Sequence, residues 1–325
     1  MRIFRSMSGV VLKTFGQLPS RCLRSIPGLA VAILIFFTTF ETRGQELEQK
    51  PQTSVACSAC DAGIAKDCAQ AGIDLLNATK GIRDYEQAFA LFSKACKLGD
   101  PAGCEQLGFL YYDGTGVAQD RSISAELYQK SCDAKLDEAC NNLGMLFSNG
   151  EGVAQNKKRA ASFFKEACDR KFGAACFNLG LLYEQGAGVP HSYGSASLLY
   201  RTGCDLDDKT ACMNLGVLYS RGKGVKKDPR TAINLLKQAC DGNEVLACAG
   251  LGHIYGRGEG IPVDYDSARI YWLKACIGQH AESCGNLGVL YEDGLGLAKD
   301  KGNAVGLYTK ACDLGDKKSC KKVAR

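Results

Sequence analysis

No acidic side chain occurs in the first 40 residues, and no stretch carries the roughly 20 consecutive apolar residues that a membrane-spanning helix needs. The apolar run that does occur, residues 26–40, is about fifteen long. Histidine is scarce. His191, His253 and His280 are scattered and show neither metal-ligand nor catalytic-triad spacing, which argues against a histidine-built centre. An excess of one charge is also missing from the body of the chain. Residues 1–44 hold six basic side chains (Arg2, Arg5, Lys13, Arg21, Arg24, Arg43) and one acidic one (Glu41), and removing these from totals of 40 and 35 leaves 34 of each sign. A neutral body lacks the electrostatic footprint of a nucleic-acid or anionic-membrane binder.

The basic, acid-free opening followed by an apolar run reads as an export signal over residues 1–44, with cleavage after Gly44, where Thr42 and Gly44 supply small side chains. An uncleaved membrane anchor and a mitochondrial presequence with a sorting segment are the alternatives. Cys22 would leave with the leader, and Cys57 lies too far beyond Phe40 to be a lipid-modified cysteine. Residues 45–56, polar and containing Pro51, read as a linker.

Repetition dominates the rest. Residues 132–153, CDAKLDEACNNLGMLFSNGEGV, return 36 positions later as CDRKFGAACFNLGLLYEQGAGV. The frame is marked by cysteine pairs eight apart: Cys60 and Cys68, Cys96 and Cys104, Cys132 and Cys140, Cys168 and Cys176, Cys204 and Cys212, Cys240 and Cys248, Cys276 and Cys284, Cys312 and Cys320. Within one unit the apolar spacing predicts two helices. In helix A, Pro101 suits the first turn and Cys104, Leu107, Gly108, Leu110 and Tyr111 share a face, before Gly114 and Gly116 stop the helix and shape a loop. Helix B follows an N-cap residue: Asp84, Asp120, Asn156, Ser192, Asp228, Asp264 or Asp300. Its core alternates small residues (Ala88, Ala160, Ala196, Ala232, Ala268) with bulky ones four later (Phe92, Phe164, Tyr200, Leu236, Trp272), a pattern that lets helices interlock.

Two helices of this length cannot bury their apolar faces alone. The expectation is an all-α fold, a right-handed α-solenoid of about seven 36-residue helix-turn-helix units with a concave and a convex side. Residues 57–103 would form a degenerate N-terminal cap, with Ala78 and Lys80 where other units carry the two loop glycines. Residues 104–320 would form the array and residues 321–325 the tail.

The pattern A-x-x-x-L-G-x-L-Y-x-x-G-x-G-V, then an N-cap and A-x-x-x-Y/F-x-x-A-C, resembles Sel1-like repeats, relatives of the tetratricopeptide repeat. With a cysteine pair in every unit the chain is similar over residues 60–320 to the secreted cysteine-rich Sel1 proteins first described in Helicobacter, often labelled β-lactamases. That label implies a hydrolase or a binder of penicillins or peptidoglycan fragments. Cysteine-rich relatives also occur in the mitochondrial intermembrane space, which implies an assembly factor there as a further alternative.

The first cysteine of each pair ends helix B and the second opens the next helix A, so their sulfurs face each other across the turn. Eight disulfides are expected, closing loops of about nine residues, each contributing on the order of 2–3 kcal/mol by chain entropy. Zinc-thiolate sites favour shorter C-x2-C spacing, so no metal is expected. The array implies an oxidising compartment, periplasmic or extracellular, with the intermembrane space as alternative. Cys57 is left over; in Cys57-Ser-Ala-Cys60 it suggests competition for Cys60 or Cys68, a bond to another chain, or a redox motif lacking its usual strand-helix context.

Serine β-lactamases need S-x-x-K, and Ser162-Phe-Phe-Lys165 matches it, yet no K-T-G or S-D-N accompanies it. Ala90, Glu126, Leu198, Asn234, Ile270 and Gly306 hold the same register as Ser162, an unconstrained helix-B position, so no catalytic residue and no cofactor is expected. Asn77-Ala-Thr79 is a glycosylation tripeptide. Binding is the default task of a solenoid's inner face, with a protein or peptide as partner. Before the helix-A Leu-Gly stand Gln106, Asn142, Asn178, Asn214, Gly250 and Asn286. In tetratricopeptide repeats an asparagine at this place can hydrogen-bond a peptide, which makes Asn142, Asn178, Asn214 and Asn286 candidate ligands; the competing reading is that these amides brace the turn between units. Specificity is expected at the variable position occupied by Glu105, Asn141, Phe177, Met213, Ala249 and Gly285, where Phe177 and Met213 favour apolar side chains of the partner. A second variable series runs Phe109, Met145, Leu181, Val217, His253 and Val289.

Overall fold

The computed structural model of the protein describes residues 60, 62–77 and 84–324. The expected leader, the linker, Cys57, the Ala78/Lys80 loop, all but the first residue of the Asn77 tripeptide and Arg325 lie outside the described residues. Helix is the only regular secondary structure among the described residues, in fifteen segments.

Two compact units divide the chain between residues 155 and 156. The first holds α1 (Ala65–Asn77), α2 (Tyr85–Lys97), α3 (Pro101–Asp113), α4 (Arg121–Asp133) and α5 (Asp137–Asn149). The second holds α6 (Lys157–Asp169), α7 (Gly173–Gln185), α8 (Tyr193–Asp205), α9 (Lys209–Arg221), α10 (Pro229–Asp241), α11 (Val245–Arg257), α12 (Tyr265–Ile277), α13 (Ala281–Asp293), α14 (Lys301–Asp313) and the stub α15 (Lys317–Val323). Within each unit every helix packs on the one before and the one after, and helix A also touches a neighbouring helix A, as α3 touches α1 and α9 touches α7. This is the tandem helix-pair packing of an α-solenoid. No helix among the described residues is long and apolar enough to cross a membrane.

The local causes are those the residues announce. Every helix-B cap forms: Asp84 accepts from the backbone N–H of Gln87 (2.9 Å), Asn156 from Arg159 (3.0 Å), Ser192 from Ser195 (3.1 Å), Asp264 from Ser267 (3.0 Å) and Asp300 from Asn303 (2.9 Å), with Asp120 and Asp228 each accepting two. These bonds satisfy first-turn donors that have no partner in the helix. Helix A ends where its first loop glycine turns left-handed, as Gly150 does at φ 76°.

The second loop glycine does something different. A Cβ on Gly152 would lie 2.1 Å from the Arg121 carbonyl oxygen, and one on Gly224 would lie 2.3 Å from that of Tyr193. The loop of one repeat is therefore laid directly on the first turn of the preceding helix B. The Leu-Gly glycine of helix A is also a contact. It receives the bulky helix-B residue, Tyr128 over Gly108, Tyr200 over Gly180 and Trp272 over Gly252, each at 3.0 Å or less from where a Cβ would be. The small partner of the helix-B aromatic therefore sits on helix A, beyond the alanines of helix B itself.

Candidate functional site: the row of A helices

Eight disulfides cross the turns from helix B to helix A, with Cα–Cα distances of 4.4–4.8 Å. They join Cys60 to Cys68, Cys96 to Cys104 and Cys132 to Cys140 in the first unit. In the second they join Cys168 to Cys176, Cys204 to Cys212, Cys240 to Cys248, Cys276 to Cys284 and Cys312 to Cys320. The pairing is the one the eight-residue spacing predicts. All these cysteines are buried except the outermost pair, Cys312 and Cys320, which are half-buried. The contribution of the bonds is structural: they pin the place where one A helix follows the preceding B helix, and so fix which A-helix side chains stand next to one another.

The asparagines before Leu-Gly then fall at one register of their A helices, but their amides are used differently. In the first unit, Asn142 Nδ2 donates to Glu105 Oε1 of the previous A helix at 3.2 Å, the bracing role. In the second, Asn214 Nδ2 donates to the Thr210 carbonyl of its own helix at 2.8 Å. Asn178 is half-buried on α7 and has partners. Asn286 Nδ2 is buried and has no hydrogen-bond partner. The reason lies one repeat back: the residue at the register of Glu105 is Ala249, which offers no acceptor.

Gly250 stands where another asparagine would be, and a Cβ there would make ordinary contact with two Leu236 methyls at 3.7 and 3.8 Å. One turn on, His253 packs edge-on to Trp272 (5.7 Å between centroids), lies 3.8 Å from the Glu282 carboxylate, and is held below the usual imidazole range chiefly by burial. It is neutral near pH 7. Trp272 Nε1 is a second buried donor without an acceptor. The Asn286 donor could not be singled out from sequence, because the residue that leaves it without an acceptor lies on another helix.

Phe177 and Met213 are half-buried and pack against the core built by Cys204, Cys212, Leu236 and Leu251, and Phe177 stacks on Tyr200 at 5.8 Å. They serve the stack, with part of each side chain left exposed. Ser162 and Lys165 of the S-x-x-K tetrapeptide lie on the exposed side of α6, while Phe164 between them is buried. Ser162 Oγ donates to the Arg159 carbonyl (2.7 Å), and Lys165 Nζ pairs with Asp169 (2.5 Å), so the lysine is turned along the helix to a carboxylate.

Tandem helix pairs with a 36-residue period, a left-handed glycine ending six of the A helices and a capped B helix define an all-α repeat scaffold. The description "Sel1 repeat" matches residues 75–100, 101–136, 137–172, 173–208, 209–244, 245–280 and 281–316, and the chain belongs to the Sel1 repeat family. Among solved structures it is similar to c5321, a protective antigen of uropathogenic Escherichia coli displaying an SLR fold. The identity is 25% and the TM-score 0.75, over 84% of this chain and 58% of that one. It is also similar to a Sel1 repeat protein from Oxalobacter formigenes, at 28% identity and a TM-score of 0.68, over 75% of this chain and 99% of that one. Helicobacter pylori cysteine-rich protein B shares 27% identity over 39% of this chain and 96% of its own, with a TM-score of 0.33. The chain spans little more than half of the Escherichia coli protein. No curated protein sequence matches it.

Proposed function

We propose that this Sel1 repeat chain is an exported, non-catalytic scaffold that binds a peptide or an extended protein segment along its row of A helices. The observation that carries the reading is the Asn286 amide: buried, without an acceptor, at a register where Asn142 and Asn214 have theirs. Leaving such a donor unpaired costs about 1–3 kcal/mol, which a backbone carbonyl of a bound segment would recover. Export rests on the eight disulfides, which persist in oxidising compartments, together with the acid-free leader of residues 1–44. In this reading residues 45–56 link leader to body, residues 57–103 cap the array and residues 104–320 carry the binding face.

Panning a phage-displayed peptide library on the oxidised protein tests it. Selected peptides should lose about tenfold in affinity with Asn286→Ala, the equivalent of one hydrogen bond to a buried amide. Equal affinity for the variant would refute the reading. Nitrocefin assays of the wild type and Ser162→Ala address the hydrolase alternative, and turnover abolished by that substitution would establish it.

A further inference from the structure

The even balance of charge over the body hides a local excess. The loop from α9 to α10 and its flanks hold Arg221, Lys223, Lys226, Lys227 and Arg230 against Asp228, five bases to one acid, or +4 over residues 221–230. Other repeats carry far less at the same ten positions: two acids and one base at 113–122 (−1), one acid and two bases at 149–158 (+1), and neither at 185–194. Residues 257–266 have three acids and one base (−2), and residues 293–302 two of each (0). Packing of the loop therefore does not require the bases, and all five are exposed.

The exchange is most direct at Lys223. In the first unit its register holds Glu151, which lies 3.8 Å from Arg121 and accepts from the Tyr112 hydroxyl at 2.7 Å. One repeat further on it holds Glu259, 3.8 Å from Arg257. Lys223 meets a neutral partner instead: its Nζ donates to the Tyr193 hydroxyl at 3.1 Å and stands 4.8 Å from the ring centroid. Among the described residues Arg221, Lys226 and Lys227 form no ion pair. Asp228 is committed to the first turn of α10, where it accepts from the N–H groups of Arg230 and Thr231. Asp205, Asp207 and Asp208 precede α9 at its other end, about 20 Å away along its 13 residues. Gly224 lays this loop on Tyr193 and Gly194, and Gly188 lays the preceding loop on Lys157 and Lys158, so the edge extends over two repeats and gains the exposed Lys158.

We propose that this loop edge of the second unit is a docking surface for an acidic protein segment, one carrying successive Asp or Glu side chains. Charge complementarity selects the partner: exposed bases in net excess attract an anionic chain and set its orientation. They are spread along an edge, which fits an extended segment. The exposed large apolar side chains lie elsewhere, Leu198, Leu246 and Ile270 among them, and none belongs to residues 185–194 or 221–230. The edge thus lacks the apolar anchors with which basic segments enter a bilayer surface. It is distinct from the row of A helices and does not rest on the peptide-binding reading.

The test uses the full oxidised chain and two fluorescein-labelled dodecapeptides, one alternating Glu with Ser and one alternating Gln with Ser. At low ionic strength, fluorescence polarisation should show the Glu peptide bound about tenfold tighter or more, and the difference should vanish near 1 M salt, where the screening length is about 3 Å. The variant Lys223→Glu, Lys226→Ala, Lys227→Gln installs the residues found at these registers as Glu151, Ala154 and Gln155, and should lose about tenfold in affinity for the Glu peptide. Lys226→Ala with Lys227→Gln alone keeps the Tyr193 contact and should lose about threefold. Far-UV circular dichroism verifies that both variants fold. Removing charge elsewhere, by Lys317→Gln, Lys318→Gln and Lys321→Gln on α15, should cost no more than about twofold. Equal binding of the two peptides, loop variants that bind as the wild type does, or an equal loss in the α15 variant would each overturn the proposal. So would phosphatidylglycerol vesicles that bind through the same loop while the Glu peptide does not, which would make the edge a membrane contact. The groove reading fails by a different result, indifference of library-selected peptides to Asn286→Ala.

Discussion

Among single residues, Glu105 governs stability. Its carboxyl ionises near the ordinary value in the unfolded chain and near 8 in the folded one, so the folded state holds its proton more tightly. Stability from this group is full below about pH 4.5 and is lost as pH rises toward 8. By pH 7 the loss is about 3 kcal/mol for the unit that contains it. Glu105→Gln, which keeps the shape without the charge, should therefore be more stable than wild type at pH 7 and nearly equal at pH 4. Amide hydrogen exchange in α3 and α5 reads this locally, where a global melting curve of a repeat protein would not. Identical exchange of the two proteins across that pH range would contradict the assignment.

Two glycines sharing a positive φ but differing in surroundings make a further residue-level prediction. Gly99 has φ 93°, and a Cβ placed there would meet nothing within 4 Å, so Gly99→Ala should cost about 1–2 kcal/mol, the left-handed penalty alone. Gly152 has φ 69° and the Arg121 carbonyl in the way. Gly152→Ala must displace the loop from the preceding helix and should cost roughly twice as much or more. Urea melts of the two variants compare them directly, and equal losses would mean that the loop contact contributes nothing.

Among the helices, α12 departs from its siblings. Ile270 (48% exposed), Leu273 (42%) and Ile277 (68%) form an apolar stripe on its outer side. The corresponding residues in α10 are Asn234, Lys237 and Asp241, and in α6 they are Ser162, Lys165 and Asp169. Since those helices pack on their neighbours with polar residues at these places, the stripe is not needed for the stack. Replacing the three together by Asn, Lys and Asp should change the free energy of unfolding by no more than about 0.5 kcal/mol, as for ordinary surface substitutions. A large loss would show that the stripe is covered in the native protein.

For the molecule as a whole, eight short disulfide loops of about nine residues each restrict the unfolded chain by about 2.5 kcal/mol apiece in the chain-entropy description. Reduction should lower the melting temperature in several steps, since each repeat is held mainly by its neighbours. Intact mass of protein from its native compartment, with and without thiol alkylation after reduction, checks the redox state and the leader together. A mass beginning near Gln45 with sixteen cysteines alkylatable only after reduction is the expected result. A full-length chain with free thiols would refute both.

The architecture is legible in the order of amino acids alone, because a 36-residue period carries its own evidence. Seven helix-B caps, from Asp84 to Asp300, stand in one register, and the eight-residue cysteine spacing places each pair at a turn whose geometry is local. Such features need only the residues next to them. Whatever depends on a residue one repeat away needed the packed fold. Gly152 reads as a loop residue until Arg121 of the preceding repeat is seen beneath it. Asn142 and Asn286 are the same letter at the same register, yet one amide meets Glu105 and the other meets Ala249 and goes unpaired. Period and caps follow from short-range chemistry, whereas the surroundings of the A-helix side chains arise from pairing across neighbouring repeats, and only the packed helices bring those pairs together.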